Sequence, residues 1–208
     1  MRITTLITFL LITTAFFAQG EKDTLTRIDT IGKDRFASDI RYATSNNFLK
    51  EPFYDCASCY LRPEVAEALQ LANDWFCEKG YKILLYDCYR PVSAQKKMWK
   101  VFPNPQYVAN PYTSGSIHNR GAAVDISLVK LDGSPVDMGT DHDFFGKEAH
   151  IDFTDLPEEV LKNRKLLQEG MTLYGFETIR TEWWHFNYKK NYSYSIIDFD
   201  FPCEDVKK

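Results

Sequence analysis

The chain has 208 residues, 44% hydrophobic and 15% aromatic, enough for one globular domain with a sizeable core. Its 25 basic and 29 acidic residues form a mildly acidic balance with no basic stripe. Nucleic acid and anionic membrane surfaces are therefore poor partners.

Residues 1–20 read as a signal peptide. Arg2 supplies a short basic start and Leu6 to Phe17 an apolar run, with small residues Ala18 and Gly20 ahead of the charged Glu21-Lys22-Asp23. The run is too short and too rich in threonine for a membrane span. The expectation is an exported chain, periplasmic or secreted, with no stable membrane insertion after cleavage. An uncleaved anchor or a buried first helix is the alternative. Residues 21–36 read as a polar tether and 37–208 as the folded domain. Five cysteines suit an exported chain, and their odd number leaves at least one thiol free or paired with another chain. Cys56-Ala-Ser-Cys59 is compatible with a redox pair, half a zinc knuckle or a structural disulfide. No second Cys-x-x-Cys exists, so structural use fits best, with the connectivity open.

From Ala37 to Phe53 the chain lacks a clear period and reads as extended segment and loop, with Tyr42 inside it. Pro63 opens a helix: Val65, Leu69, Ala72 and Phe76 recur at three- and four-residue spacing, and Gly80 ends it. Tyr81 to Tyr89 reads as a strand buried on both faces, stopped by Arg90-Pro91. Val92 to Phe102 has helical composition and is expected to pack on the first helix. Residues 103–115, rich in proline, form a loop. Beyond Gly121 the chain alternates, with Ala122, Val124, Ile126 and Leu128 facing one way and Ala123, Asp125 and Ser127 the other. Leu131 to Ser134 signals a hairpin, with a return strand starting at Val136 to Met138. Residues 139–155 look like a loop over a site. A last helix runs from Leu156 to near Gly170, and Glu182 to Tyr188 forms an aromatic strand. No repeat or second domain is visible. The fold expected is α+β, a small mostly antiparallel sheet with helices alongside.

The chemistry concentrates in two short segments. Zinc favours imidazole nitrogen and carboxylate oxygen in a tetrahedral shell, and a catalytic site holds it with three protein ligands. His118 and Asp125, seven residues apart, plus the distant His185, supply that set for one zinc ion per chain. Gly121 between the first two permits close backbone approach or an unusual φ. Individually, His118 reads as a loop histidine and Asp125 as a hydrogen-bonded strand carboxylate. Burying an unpaired carboxylate is costly, however, so Asp125 needs a cation or donors. His142 and His150 are competing donors that rank second, since loop histidines are commonly solvated.

Glu182 is the candidate general base for a water attacking an amide. Residues three apart on a regular strand face opposite sides, so Glu182 and His185 can share a metal only if the strand starts late or a bulge re-aims one of them. An edge strand packing two tryptophans is the plainer reading of Glu182-Trp-Trp-His185. Arg90, where the buried strand ends, is placed either to stabilise an oxyanion or to pair structurally with Asp87.

Taken together, Ser116-x-His118-x-x-Gly121-x-Ala123-x-Asp125, Glu182-x-Trp184-His185 and Tyr89-Arg90-Pro91 resemble the VanX-type D-alanyl-D-alanine dipeptidases. These belong to a wider zinc peptidase family with VanY-type D,D-carboxypeptidases and hedgehog-like domains. The similarity runs from about Asp39 to Cys203. It implies His118, Asp125 and His185 as zinc ligands, Glu182 as catalytic base and Arg90 as transition-state stabiliser. It further implies Tyr42, Ser116 and Asp143 as substrate-binding residues, Asp143 for the free ammonium of a dipeptide. The cysteines are not part of that pattern. The function implied is zinc-dependent hydrolysis of D-Ala-D-Ala. The alternatives are a D,D-carboxypeptidase acting on peptidoglycan stem peptides, a non-catalytic hedgehog-like zinc module, and a cysteine-stapled interaction domain without metal. Oligomeric state is open.

Overall fold

The computed structural model describes residues 24–29, 35–200 and 202–203, so the signal peptide read at 1–20 lies outside the described residues. In chain order the strands and α-helices are β1 (Thr26–Arg27), β2 (Ala37–Ser38), β3 (Tyr60–Leu61), α1 (Pro63–Cys77), β4 (Tyr81–Asp87), α2 (Val92–Val101), β5 (Ala123–Lys130), α3 (Glu158–Leu173), β6 (Phe176–Ile179) and β7 (Glu182–Tyr188). The main sheet has the order β2-β4-β5-β7-β6. Only the β2–β4 pair is parallel, giving the α+β fold with a mostly antiparallel sheet. Among the described residues no helix is long and apolar enough to cross a membrane.

The two faces of the sheet divide the labour. Ladder register puts Ile83 opposite Leu128, Leu85 opposite Ile126, and Val124 opposite Phe186. These six side chains are buried with the apolar stripe of α1, where Val65, Leu69, Ala72 and Phe76 are fully enclosed. Each large member contributes roughly 1.5–3 kcal/mol by leaving water. Asp125, Ser127 and His185 alternate onto the other face, so the polar chemistry is segregated from the aliphatic core.

Several expectations are corrected. Part of the stretch read as a polar tether is packed: β1 pairs antiparallel with β3, and Ile28 is fully buried. Leu25 and Ile28 are the apolar residues that hold it down. The last helix runs past Gly170. That glycine serves close packing rather than termination, since a Cβ there would lie 2.3 Å from Phe76 Cζ on α1. Helix α1 thus packs on α3, where the sequence suggested α2. The hairpin turn forms at Gly133, but its return stretch carries an isolated bridge, Val129 to Pro135, because proline has no N–H for a ladder. The strand read to Tyr89 ends at Asp87, and Tyr81, Lys82 and Leu84 in it are only part-buried. Tyr42 sits in a short 3-10 turn, Arg41–Ala43, and is buried. Strand β6 is an element the sequence did not signal.

Structural use of the cysteines holds, with disulfides Cys56–Cys203 and Cys59–Cys88. Cys77 is free.

Candidate functional site

Irregularities in two strands build the site. In β4, Leu85 faces Ile126 but Asp87 faces Asp125, so Tyr86 is an extra residue that turns the Asp87 side chain toward Asp125. Asp125 in turn faces His185 on β7, which lines up Asp87, Asp125 and His185 across three neighbouring strands. In the β6–β7 pair the register slips between Thr178–Phe186 and Ile179–Glu182. That slip resolves the awkward three-residue spacing: Glu182 Oε2 lies 3.9 Å from His185 Nδ1, on the same side. His118 opens a 3-10 turn, His118–Arg120, closed by Gly121 at φ 66°. A Cβ at Gly121 would meet Leu25 Cδ2 at 2.6 Å, so both readings of this glycine, positive φ and close approach, apply.

The three candidate ligands converge. His118 Nε2 lies 3.2 Å from His185 Nδ1 and 3.4 Å from Asp125 Oδ1, and His185 Nδ1 lies 3.0 Å from the same oxygen. Ligand atoms about 2.0–2.1 Å from a tetrahedral zinc would be spaced about 3.3 Å apart. The outer hydrogen bonds set the tautomers. His118 Nδ1 is 2.6 Å from the Cys88 carbonyl, which can only accept, so Nδ1 carries the proton. His185 Nε2 likewise donates to Asn187 Oδ1 at 2.9 Å. In neutral rings this aims two nitrogen lone pairs and a carboxylate oxygen at one point, an arrangement that calls for a cation. Among the described residues His118 and Asp125 are buried and His185 nearly so, its side chain 11% exposed, and the three form one His-Asp-His group. The donor set therefore fits zinc. Burial alone would raise the Asp125 carboxyl, but the His118, His142 and His185 imidazoles outweigh it and hold it well below the usual range.

Around this point lies a cavity of about 230 Å³ lined by all eight residues singled out from the sequence. Glu182 is buried, and burial pushes its carboxyl up to about 7 against the opposing pull of His185. Arg90 meets both of its sequence readings. Its Nε and one terminal nitrogen donate to Asp87 Oδ2 at 3.0 and 2.8 Å, and the other terminal nitrogen to Gln95 Oε1 at 3.0 Å. The guanidinium still borders the cavity, 3.6 Å from Asp125 Oδ2 and 5.0 Å above the Tyr42 ring. Asp87 is further held by the Tyr54 hydroxyl at 2.7 Å.

At the other end, the Tyr42 hydroxyl lies 3.1 Å from both oxygens of Asp143. Asp143 adopts φ 61°, a left-handed backbone worth on the order of 1–3 kcal/mol of strain. Its carboxyl is raised, chiefly by burial. Ser116 Oγ accepts the backbone N–H of His118 at 3.2 Å. The two second-ranked histidines separate. His142 is buried, not solvated, with Nε2 3.5 Å from Asp125 Oδ2 and its ring against Tyr86 and Trp184. His150 receives Arg180 at 3.1 Å and does not line the cavity.

The sequence reading missed Asn187 and the Cys88 carbonyl. Asn187 had a signal, since it lies two residues after His185 on a strand and so shares its face. The carbonyl had none.

A His-Asp-His group with a carboxylate beside it, lining a small cavity, is the donor arrangement that mononuclear metal hydrolases use. The comparisons narrow that class. A family model described as D-ala-D-ala dipeptidase, Peptidase_M15, matches residues 21–204, and the chain belongs to this peptidase family. It is 34% identical over 165 residues to a D-alanyl-D-alanine dipeptidase of Escherichia coli (strain K12), covering 79% of this chain and 85% of that protein. The corresponding protein of Enterococcus faecium is 32% identical over 186 residues, covering 80% of this chain and 92% of that protein. A solved zinc complex of a VanY vancomycin resistance D,D-pentapeptidase aligns at a TM-score of 0.42 with 17% identity, over 63% of this chain and 74% of that one.

Proposed function

We propose that the protein is a zinc D,D-dipeptidase that hydrolyses D-Ala-D-Ala to two D-alanines. The observation that carries this reading is the convergence of His118 Nε2, Asp125 Oδ1 and His185 Nδ1 beside a buried Glu182. Its relatives' names as D-alanyl-D-alanine dipeptidases support the substrate. When bound, zinc supplies Lewis acidity that polarises a carbonyl and makes water a usable nucleophile near neutral pH.

The chain's own residues divide the remaining work. Glu182, with its carboxyl near 7, takes a proton from the attacking water and returns it to the departing amine nitrogen. Arg90, locked by Asp87 and Gln95, presents a fixed positive charge to the developing oxyanion. Asp143, whose carboxyl meets the Tyr42 hydroxyl and His142 among the described residues, binds the substrate ammonium. A cavity of about 230 Å³ is small beside the ~300–1,000 Å³ of drug-sized sites, which favours a dipeptide over a stem peptide. Export from the cytoplasm is also inferred, supported by the two disulfides.

The test is hydrolysis of D-Ala-D-Ala beside D-Ala-L-Ala and a stem pentapeptide by the zinc-loaded protein. Preference for D-Ala-D-Ala is expected. Preference for the pentapeptide would make the protein a D,D-carboxypeptidase, and inertness on all three would leave a zinc-binding module.

A further inference from the structure

We infer that the Cys59–Cys88 disulfide is a positioning element for His118, and that the site's zinc affinity depends on it. This rests on the zinc reading above. Cys88 lies one residue beyond β4, where ladder pairing with β5 has stopped. Its carbonyl nonetheless receives the Nδ1–H of His118 at 2.6 Å, with both residues buried. The hydrogen bond at one imidazole nitrogen sets the direction of the other, so whatever fixes the Cys88 carbonyl aims His118 Nε2 at the metal point.

The disulfide is the covalent restraint on that residue. It reaches Cys59, itself anchored on both sides: its N–H donates to Asp29 Oδ1 at 3.1 Å, and its carbonyl accepts from Ile28 at 2.9 Å. The next residues carry their own, non-covalent ties: Tyr89 N–H to the Tyr60 carbonyl at 2.9 Å, Arg90 N–H to the His118 carbonyl at 3.2 Å, and Asn119 Nδ2 to the Arg90 carbonyl at 2.8 Å. Arg90 lies two residues beyond Cys88 with its guanidinium held by Asp87 and Gln95, so displacement of residue 88 acts first on His118. The second disulfide makes a natural contrast. Cys56–Cys203 ends at an exposed cysteine; neither crosslink has a residue lining the cavity, and the Cys88 carbonyl on His118 is what separates them. It spans 147 residues against 29 for Cys59–Cys88, so by chain entropy it contributes more to global stability. The two crosslinks are therefore expected to separate, one serving stability and the other metal affinity.

The experiment compares the wild-type chain with the double variants Cys59→Ala/Cys88→Ala and Cys56→Ala/Cys203→Ala. Zinc affinity is measured by competition with a chromophoric chelator, and metal-free melting is measured in parallel. The first variant is expected to bind zinc about 10- to 100-fold more weakly, as for loss of a ligand's outer partner. The second is expected to stay within about twofold of wild type despite the larger fall in melting temperature. Equal zinc affinity in a folded Cys59→Ala/Cys88→Ala variant, or affinity losses that merely track melting in both, would overturn the inference. A wild-type chain that binds no zinc would refute the metal reading instead.

A second measurement needs no variant. In a glutathione buffer, two glutathione thiols give up two electrons and two protons to the protein disulfide, leaving glutathione disulfide and the free thiols of Cys59 and Cys88. By reciprocity, zinc held at a buffered free concentration that saturates only the disulfide form must shift that equilibrium toward the Cys59–Cys88 disulfide, by up to the same 10- to 100-fold. The Cys56–Cys203 equilibrium should not move. A Cys59–Cys88 equilibrium indifferent to zinc would overturn the inference even if the alanine variant fails to fold.

Discussion

Replacing Glu182 by glutamine in the metal-free protein should stabilise it, in a manner set by pH. Burial raises the carboxyl from 4.5 to about 7, a difference of about 3 kcal/mol between its two protonation states. Below pH 4.5 the group is protonated in both the folded and unfolded chains, and its full share of stability is present. Between 4.5 and about 7 the unfolded chain ionises first, so that share is lost as pH rises through the folded value. Glutamine mimics the protonated form and escapes the loss. Urea unfolding of chelator-treated wild type and Glu182→Gln should therefore give a stability difference that grows by about 3 kcal/mol from pH 4 to pH 8, in favour of the variant. A difference independent of pH, or one favouring wild type at pH 8, would refute the burial argument. Turnover of the variant should meanwhile fall about 10²- to 10⁴-fold, with zinc still bound.

Asp143→Asn keeps the left-handed backbone, which asparagine tolerates, but removes the charge. KM for D-Ala-D-Ala should rise about 10- to 100-fold, while hydrolysis of an N-acetylated dipeptide, already slow, should change little; equal losses on both would remove Asp143 from ammonium binding. Arg90→Lys retains a positive charge without the planar fork that grips Asp87 and Gln95. The expected loss is on the order of 10²- to 10³-fold in kcat with a smaller change in KM, and unchanged kcat would reduce Arg90 to a structural partner of Asp87. Gly170→Ala forces a methyl against Phe76, costing about 1–3 kcal/mol. Melting temperature should fall with turnover per folded molecule intact, and an unchanged melting temperature would contradict the close packing of α1 on α3.

What the sequence disclosed and what it hid have different physical origins. The α1 stripe and the alternation along β5 were legible because periodicity is local, and the same alternation placed Asp125 on the polar face. Asp125 drew notice because a carboxylate in an apolar strand needs a cation or donors, and the family resemblance joined it to His118 and His185 as a donor set. Their convergence depends on long-range pairing of β4, β5 and β7, which no local pattern encodes. The Glu182–His185 spacing showed that an irregularity was needed, but the register slip opposite β6 could not be located, because β6 itself gave no signal. Gly170 was misread for a related reason: a helix-ending glycine and a packing glycine look alike until the neighbouring helix is known. The Cys88 carbonyl is a backbone group, and only the three-dimensional path of the chain shows that it orients His118.

The most direct test of the central claim is a zinc titration of the chelator-treated protein that follows D-alanine release from D-Ala-D-Ala. Activity should be absent without metal, rise in proportion to added zinc and level off at one equivalent per chain. Turnover in the metal-free protein, or one tightly bound zinc with no D-alanine released, would contradict it.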